Sequence, residues 1–366
     1  VVEPVMVLLV TLTAALVITP QVIKLAFRWG ALDRPDPRKV HKRIMPRMGG
    51  LAVYLSFVPV VLFTQELTGP VWGLLIGVTL IVLLGIIDDI VGIAPRLKLL
   101  GQILVALSVL PFGVSVDFIT NPLTGELLYL GFFSIPVTVF WLVTVTNAVN
   151  LIDGLDGLAG GTSCIAAVTL AVVSYTQWRI FGLAEDLQVM MLALILAAAL
   201  LGFLRYNFNP AKIFLGDTGS MLLGFSLGTM SVMGVTKSAT AISVIIPLVI
   251  LGIPLLDTVF AIVRRYHNHK PIFQADKEHL HHRLLDLGLS QRQAVLTIYA
   301  VNAVLGLSAV VLNLVTTNQA IFILVVLATL IIMAANRVGV VGRKSRTTYQ
   351  KMPTQPVEIE QPPSKF

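Results

Sequence analysis

The sequence predicts an all-α integral membrane protein, a polytopic bundle of about eleven transmembrane helices with one short extracytoplasmic β-hairpin. Three observations predict it. The chain is 56% hydrophobic and 12% charged, with a mean hydropathy of +0.88, about half the 25% charge of a soluble domain. Apolar runs long enough to span a bilayer, about 20 residues each, recur from end to end. Sorting Lys and Arg by alternate loops places all but Arg179 and Lys237 of the 26 basic residues on one side.

The runs lie near 5–27, 49–67, 71–87, 99–116, 134–150, 158–177, 187–204, 218–236, 240–262, 294–313 and 319–336. Each is apolar all round, as in helices that face lipid and one another rather than a water-exposed surface. A transmembrane barrel would instead show short alternating segments. The first run lacks a basic leader and is expected to be a retained span. Segment 115–133 carries Asn-Pro and Thr-Gly between β-favouring runs, the pattern of a hairpin. Residues 1–336 form the membrane domain. Residues 337–366 are basic, then rich in Pro and Glu, and are expected to be a disordered cytoplasmic tail.

Charge then sets orientation. The basic-rich side is cytoplasmic, and an odd number of spans puts the N-terminus outside and the C-terminus inside. The net charge of +7 is spread over short loops, so nucleic-acid binding is not indicated. A single cysteine, Cys164, excludes an internal disulfide and a thiolate metal site.

Four polar constellations interrupt this apolar chain, all on the cytoplasmic side. Asp88 and Asp89 end the third run in GIIDDIVG. Adjacent carboxylates repel, which a cation would relieve, although a solvated helix end would look the same. In NAVNLIDGLDGLAGG, residues 147–161, Asn147, Asn150, Asp153 and Asp156 recur every three residues. A continuing helix would line them along one face, and an apolar span has little use for such a stripe unless it borders a polar cavity.

FLGDTGS, residues 214–220, puts Asp217 at a helix start. There it can cap the Gly219 or Ser220 amides, and the helix end can cradle a phosphate. HLHHRLLDLG, residues 279–288, groups His279, His281, His282 and Arg283. Zinc is the alternative for such histidines, but the surrounding acids suit magnesium, and His with Arg suits phosphate or sugar. Loop 28–48 ends in HKRIMPRMGG, whose Lys42, Arg43 and Arg47 can meet an anionic substrate or lipid headgroups. Asp257, within the ninth run, is expected to turn toward the same cavity.

From PRMGG at 46–50 to HLHH at 279–282, these motifs resemble the polyprenyl-phosphate N-acetylhexosamine-1-phosphate transferases. The resemblance is nearest to the bacterial undecaprenyl-phosphate N-acetylglucosamine-1-phosphate transferases that initiate teichoic acid and related polymers. HLHH is similar to the N-acetylglucosamine branch. The resemblance implies UDP-GlcNAc as donor, undecaprenyl phosphate as acceptor, UMP as leaving group, Mg²⁺ (or Mn²⁺) as cofactor, and a multi-pass protein of the bacterial cytoplasmic membrane; a homodimer is consistent with the family analogy.

Carried over by motif, Asp217 and Asp89 would hold the metal. Asp88, Asp89 and Asp156 would be catalytic, one of the first pair deprotonating the lipid phosphate. Asn150 and Asp153 would sit near the metal and uridine, Lys42 and Arg47 along the nucleotide pocket, and His279, His281, His282 and Arg283 on diphosphate and sugar. Where the family often has a third acid in its first motif, this chain has Gly92. An ion-coupled transporter is the rival reading, as is the same chemistry with another UDP-N-acetylhexosamine. A transporter would hold its acids near mid-bilayer within repeated halves, and no repeat is visible here.

Overall fold

A computed structural model describes residues 3–34, 44–121, 126–234, 245–267 and 279–338. These are mostly helical. Among the described residues, each expected apolar run overlaps helix: α1 Pro4–Trp29, α2 Gly49–Thr64, α3 Gly69–Val91, α4 Pro95–Val109, α5 Ser134–Leu151, α6 Leu158–Phe181, α7 Ala184–Asn207, α8 Gly216–Met233, α9 Ile245–Ile250 with α10 Gly252–His267, α12 Gln291–Leu314 and α13 Thr317–Val338, the start of the ninth run, 240–244, lying outside them. The short helix α11, Leu280–Asp286, carries the histidine motif. Among the described residues, eight helices are long and apolar enough to cross a membrane.

The ninth expected run is not one helix. It breaks between Ile250 and Gly252, because Pro254 has no N–H to give the Ile250 carbonyl and its ring crowds the preceding turn. The fourth run is also shifted, starting at Pro95, which suits a first helical turn, and closing in a 3-10 turn, Leu110–Phe112. Strands β3 (Phe118–Thr120) and β4 (Leu127–Tyr129) pair antiparallel with Ile119 opposite Leu128. A second small pair joins β1 (Leu32–Asp33) to β2 (Met45–Pro46). The expected tail, from residue 339 on, lies outside the described residues.

Helix α8 is the centre of the bundle and is buried from Thr218 to Met233. It packs against α2, α3, α5, α6 and α7. Its Gly, Ser and Thr content makes it less apolar than the eight candidate spans because it meets protein instead of lipid. Without a hydrophobic drive inside a bilayer, helices associate through close packing of small residues. Gly50 of α2 shows how close: a Cβ there would collide with the backbone of Thr218 and Gly219. Gly85 of α3 meets the Thr218 backbone the same way. The start of α8 is therefore clamped between α2 and α3, and that clamp fixes where the polar motifs converge.

Candidate active site

The site is built on backbone hydrogen bonds between two motifs far apart in sequence. Phe214 N–H donates to the Pro46 carbonyl at 2.8 Å, Gly49 N–H to Phe214 O at 3.0 Å, and Gly50 N–H to Leu215 O at 2.9 Å. These stitch the PRMGG segment to the FLGDTGS segment. Arg47 emerges beside the start of α8, its Nε 3.3 Å from Asp89 Oδ1, and its Nη2 donates to the Asp88 carbonyl at 3.3 Å.

Asp89, at the end of α3, caps α8. Its Oδ1 accepts the Asp217 N–H at 3.0 Å, and its Oδ2 accepts the Thr218 N–H at 2.9 Å and the Thr218 hydroxyl at 2.6 Å. Gly216 has φ 73°, and a side chain there would strike the Asp89 carboxylate. This corrects two expectations. Asp217 is not the cap of its own helix, and the two leading amides expected to cradle a phosphate are taken by a carboxylate from another helix. An anion belongs at this positive helix end; here the protein supplies it.

Asp217 is instead turned outward. Its Oδ1 accepts Lys98 Nζ at 2.6 Å and the Asn150 side-chain amide. Lys98, in the first turn of α4, also lies 2.9 Å from Asp88 Oδ2, while Asp88 Oδ1 accepts the Ile93 N–H at 2.7 Å. Lys98 thus bridges two carboxylates. Sequence reasoning passed it over as one more topology-setting charge. The signal was its place at the very edge of the fourth apolar run, which the structure turns into the first turn of α4, where a lysine needs an anionic partner.

The Asn and Asp stripe does not continue as one helix. Helix α5 stops at Leu151, and Asp153 and Asp156 sit in the turn before α6. Asn147 points away, exchanging hydrogen bonds with Gln102. Asn150 reaches Asp217 and Ser220. Asp156 Oδ2 accepts Asn209 Nδ2 and the Ala211 N–H, both at 3.0 Å, so it ties this turn to the loop before α8. The Asp153 carboxylate has no hydrogen-bond or ion partner among the described residues. Burial, reinforced by the charges of Asp217, Asp89 and Asp156, holds its carboxyl well above the usual carboxylate range.

A cleft of about 500 Å³ collects these groups, lined by Arg47, Asp89, Asn150, Asp153, Asp156, Asp217 and His282 together with Asp33, Asn207, Phe214 and Gln291. The last four were not singled out from sequence. Asp88 lies just behind the wall, joined through Lys98. Of the three histidines in this motif, His282 lines the cleft, whereas His279 and His281 are buried behind it. Burial, then the neighbouring His282, pushes the His281 imidazole down to about 3. It is therefore neutral and not the cation expected to meet a diphosphate. Arg283 does not line the cleft, and Lys42 lies outside the described residues.

Among the described residues, no three acidic, histidine or cysteine side chains converge tightly enough to hold a metal by themselves. Magnesium does not require that: it commonly takes one or two carboxylates, with substrate phosphates and water filling its other positions. The outward Asp217 and the unpartnered Asp153 are a donor set of that kind.

A helical membrane protein with carboxylates, amides, cations and an imidazole converging on one cleft is an enzyme of polar, anionic substrates at a membrane. The chain belongs to glycosyl transferase family 4, whose sequence model matches residues 71–235. It is 43% identical over 92% of both chains to a probable undecaprenyl-phosphate N-acetylglucosaminyl 1-phosphate transferase of Bacillus subtilis. It is 37% identical to the decaprenyl-phosphate N-acetylglucosaminephosphotransferase of Mycolicibacterium smegmatis, over 80% of this chain and 78% of that one. It is 33% identical to the phospho-N-acetylmuramoyl-pentapeptide-transferase of Listeria monocytogenes, over 62% and 72%.

Proposed function

We propose that the chain transfers GlcNAc-1-phosphate from UDP-GlcNAc to undecaprenyl phosphate, forming undecaprenyl-diphosphate-GlcNAc and releasing UMP. The observation that carries this reading is the convergence, in one cleft, of residues from five separate stretches of an apolar chain. The Bacillus relative, matched over nearly its whole length, supports the acceptor and the transferred group, and the N-acetylglucosamine named for both it and the mycobacterial relative favours GlcNAc as the sugar.

In the reaction, an oxygen of the lipid phosphate forms a bond to the β-phosphorus of UDP-GlcNAc while the bond from that phosphorus to the bridging oxygen breaks, and UMP leaves with those electrons. A phosphate monoester has a second pKa of about 6, so the acceptor is mostly dianionic at neutral pH and needs no strong base. The difficulty is bringing anions together, and the cleft's task is neutralisation and alignment. Arg47 supplies positive charge at the cleft wall, Lys98 supplies it from behind Asp217, and His282 presents a ring nitrogen. Asp88 and Asp89, one of which was expected to deprotonate the lipid phosphate, hold Lys98 and the start of α8 in place. Asp217 would hold Mg²⁺, with Asp153 facing the same space. The ion would draw off charge from the phosphoryl oxygens.

The basic asymmetry supports a cleft facing the cytoplasm of a bacterial inner membrane, eleven crossings and an outside N-terminus. A donor panel tests the substrate assignment. Purified protein with undecaprenyl phosphate and Mg²⁺ should release UMP from UDP-GlcNAc at least about tenfold faster than from UDP-GalNAc or UDP-MurNAc-pentapeptide, a discrimination within the reach of unpaired buried polar groups. Preference for either of the other donors would reject the GlcNAc assignment.

A further inference from the structure

Helix α10 carries a carboxylate, Asp257, that is 3% exposed and does not line the cleft. A buried carboxylate persists where its oxygens are satisfied, and here both have partners. Oδ2 lies 2.9 Å from His279 Nδ1, and Oδ1 accepts the Leu280 N–H at 2.8 Å. With a carboxylate oxygen as acceptor, this contact favours the tautomer that carries its proton on Nδ1 of His279. The His279 ring stacks on His281 with centroids 5.8 Å apart and planes 4° from parallel. His281 in turn contacts His282 at 4.3 Å between ring centroids. His281 also rests on the Asp153–Asp156 turn, where a Cβ on Gly154 would collide with its ring.

From this chain of contacts we infer that Asp257 is a positioning residue, acting through His279 and His281 to set the His282 imidazole in the cleft. It does so twice over. It starts α11 by capping Leu280, and it fixes the tautomer and plane of the first ring in the stack. The inference rests on the transferase reading for its effect on turnover, but not for the geometry of the histidines.

Asp257→Asn is the discriminating change. The side-chain oxygen can still cap Leu280, but the amide presents a donor to His279 and favours the opposite tautomer. In full-length protein with UDP-GlcNAc and undecaprenyl phosphate, kcat for UMP release should fall about tenfold or more, the usual scale for a residue that orients a functional group through another, with KM for UDP-GlcNAc changed less than threefold and thermal stability retained. The companion His279→Asn keeps an N–H near the Nδ1 position but loses the stacked ring; it should lower kcat similarly, and combining the two should cost little more.

The chain has six histidines, so ¹⁵N-histidine NMR of the wild type, assigned with His279→Asn, reads the tautomer directly and needs no Asp257 variant to fold. An Nδ1-protonated His279 supports the inference. An Nδ1 without a proton overturns it, as do unchanged kcat in Asp257→Asn or multiplicative effects in the double variant. Wild-type protein that releases no UMP would instead reject the transferase reading, leaving the NMR arm to judge Asp257.

Discussion

Two carboxylates separated by two helices illustrate how differently one residue type can serve. Asp89 gives both oxygens to the start of α8 and to Thr218, whereas Asp153 has no partner among the described residues and feels the charges of Asp217, Asp89 and Asp156. The raised Asp153 has a consequence for stability. Its proton is bound more tightly folded than unfolded, where 3.8 is the ordinary value. The stability this proton contributes is complete below about 3.8 and is lost as pH rises through the higher folded value. Without divalent ions, the melting temperature should therefore fall over that rise. Asp153→Asn or added Mg²⁺ should flatten the dependence, and an unchanged slope in Asp153→Asn would remove Asp153 as its source.

Lys98 belongs at the same scale. Removing its charge takes the cation from between Asp217, which lines the cleft, and Asp88 behind it, so Lys98→Gln should lower kcat by roughly 100-fold, on the scale of losing one preorganised donor to a developing charge. Full activity in that variant would show that the bridge is dispensable. Lys98 was missed for a physical reason. A lysine beside a predicted cytoplasmic loop has a sufficient explanation in topology, and the paired partners, Asp88 and Asp217, are 10 and 119 residues away. The individual acids, by contrast, were legible because ionised groups in an apolar chain demand a use.

At the level of elements, periodicity located the apolar runs well, and the misjudgements came where chain geometry depends on local chemistry. The Asn-Asp stripe looked helical through Asp156, but the glycines at 154 and 157 let the chain leave α5 and turn, with Gly157 at φ 80°. That turn is what directs Asp153 into the cleft while Asn147 stays with Gln102. The ninth run is split near Pro254, which interrupts the helix hydrogen bonding while leaving the apolar pattern unbroken. The clamp at the start of α8 gives a sharp test. Gly50→Ala forces a methyl into the Thr218 and Gly219 backbone and should destabilise the protein by about 1–3 kcal/mol, the usual cost of overpacking, while displacing Asp217. A thermal melt and UMP-release assay should both register the change; a neutral outcome in both would mean that the helices separate easily there.

Across the whole molecule, charge asymmetry and site convergence agree although, Arg47 apart, the residues lining the cleft are not those that set the asymmetry. The basic residues were sorted by loop alone, yet the loops assigned to the basic side are the ones that meet at the cleft. Orientation can be checked with single-cysteine variants in intact cells. Tyr129→Cys on β4, exposed in the structure, should react with a membrane-impermeant maleimide from outside, and Leu287→Cys, next to α11 and also exposed, should react only after permeabilisation. The reverse pattern would invert the topology. Cys164 is buried and should contribute little background.

The most direct test follows the transferred group itself. Full-length protein in lipid nanodiscs, given UDP-GlcNAc labelled at the β-phosphorus, should move the label into extractable lipid with one UMP released per label transferred. Transfer should require both undecaprenyl phosphate and Mg²⁺ and should fall about 100-fold in folded Asp217→Asn. Label that never reaches lipid, or transfer undiminished in that variant, would contradict the assignment of this carboxylate cleft as the place where the phosphosugar changes hands.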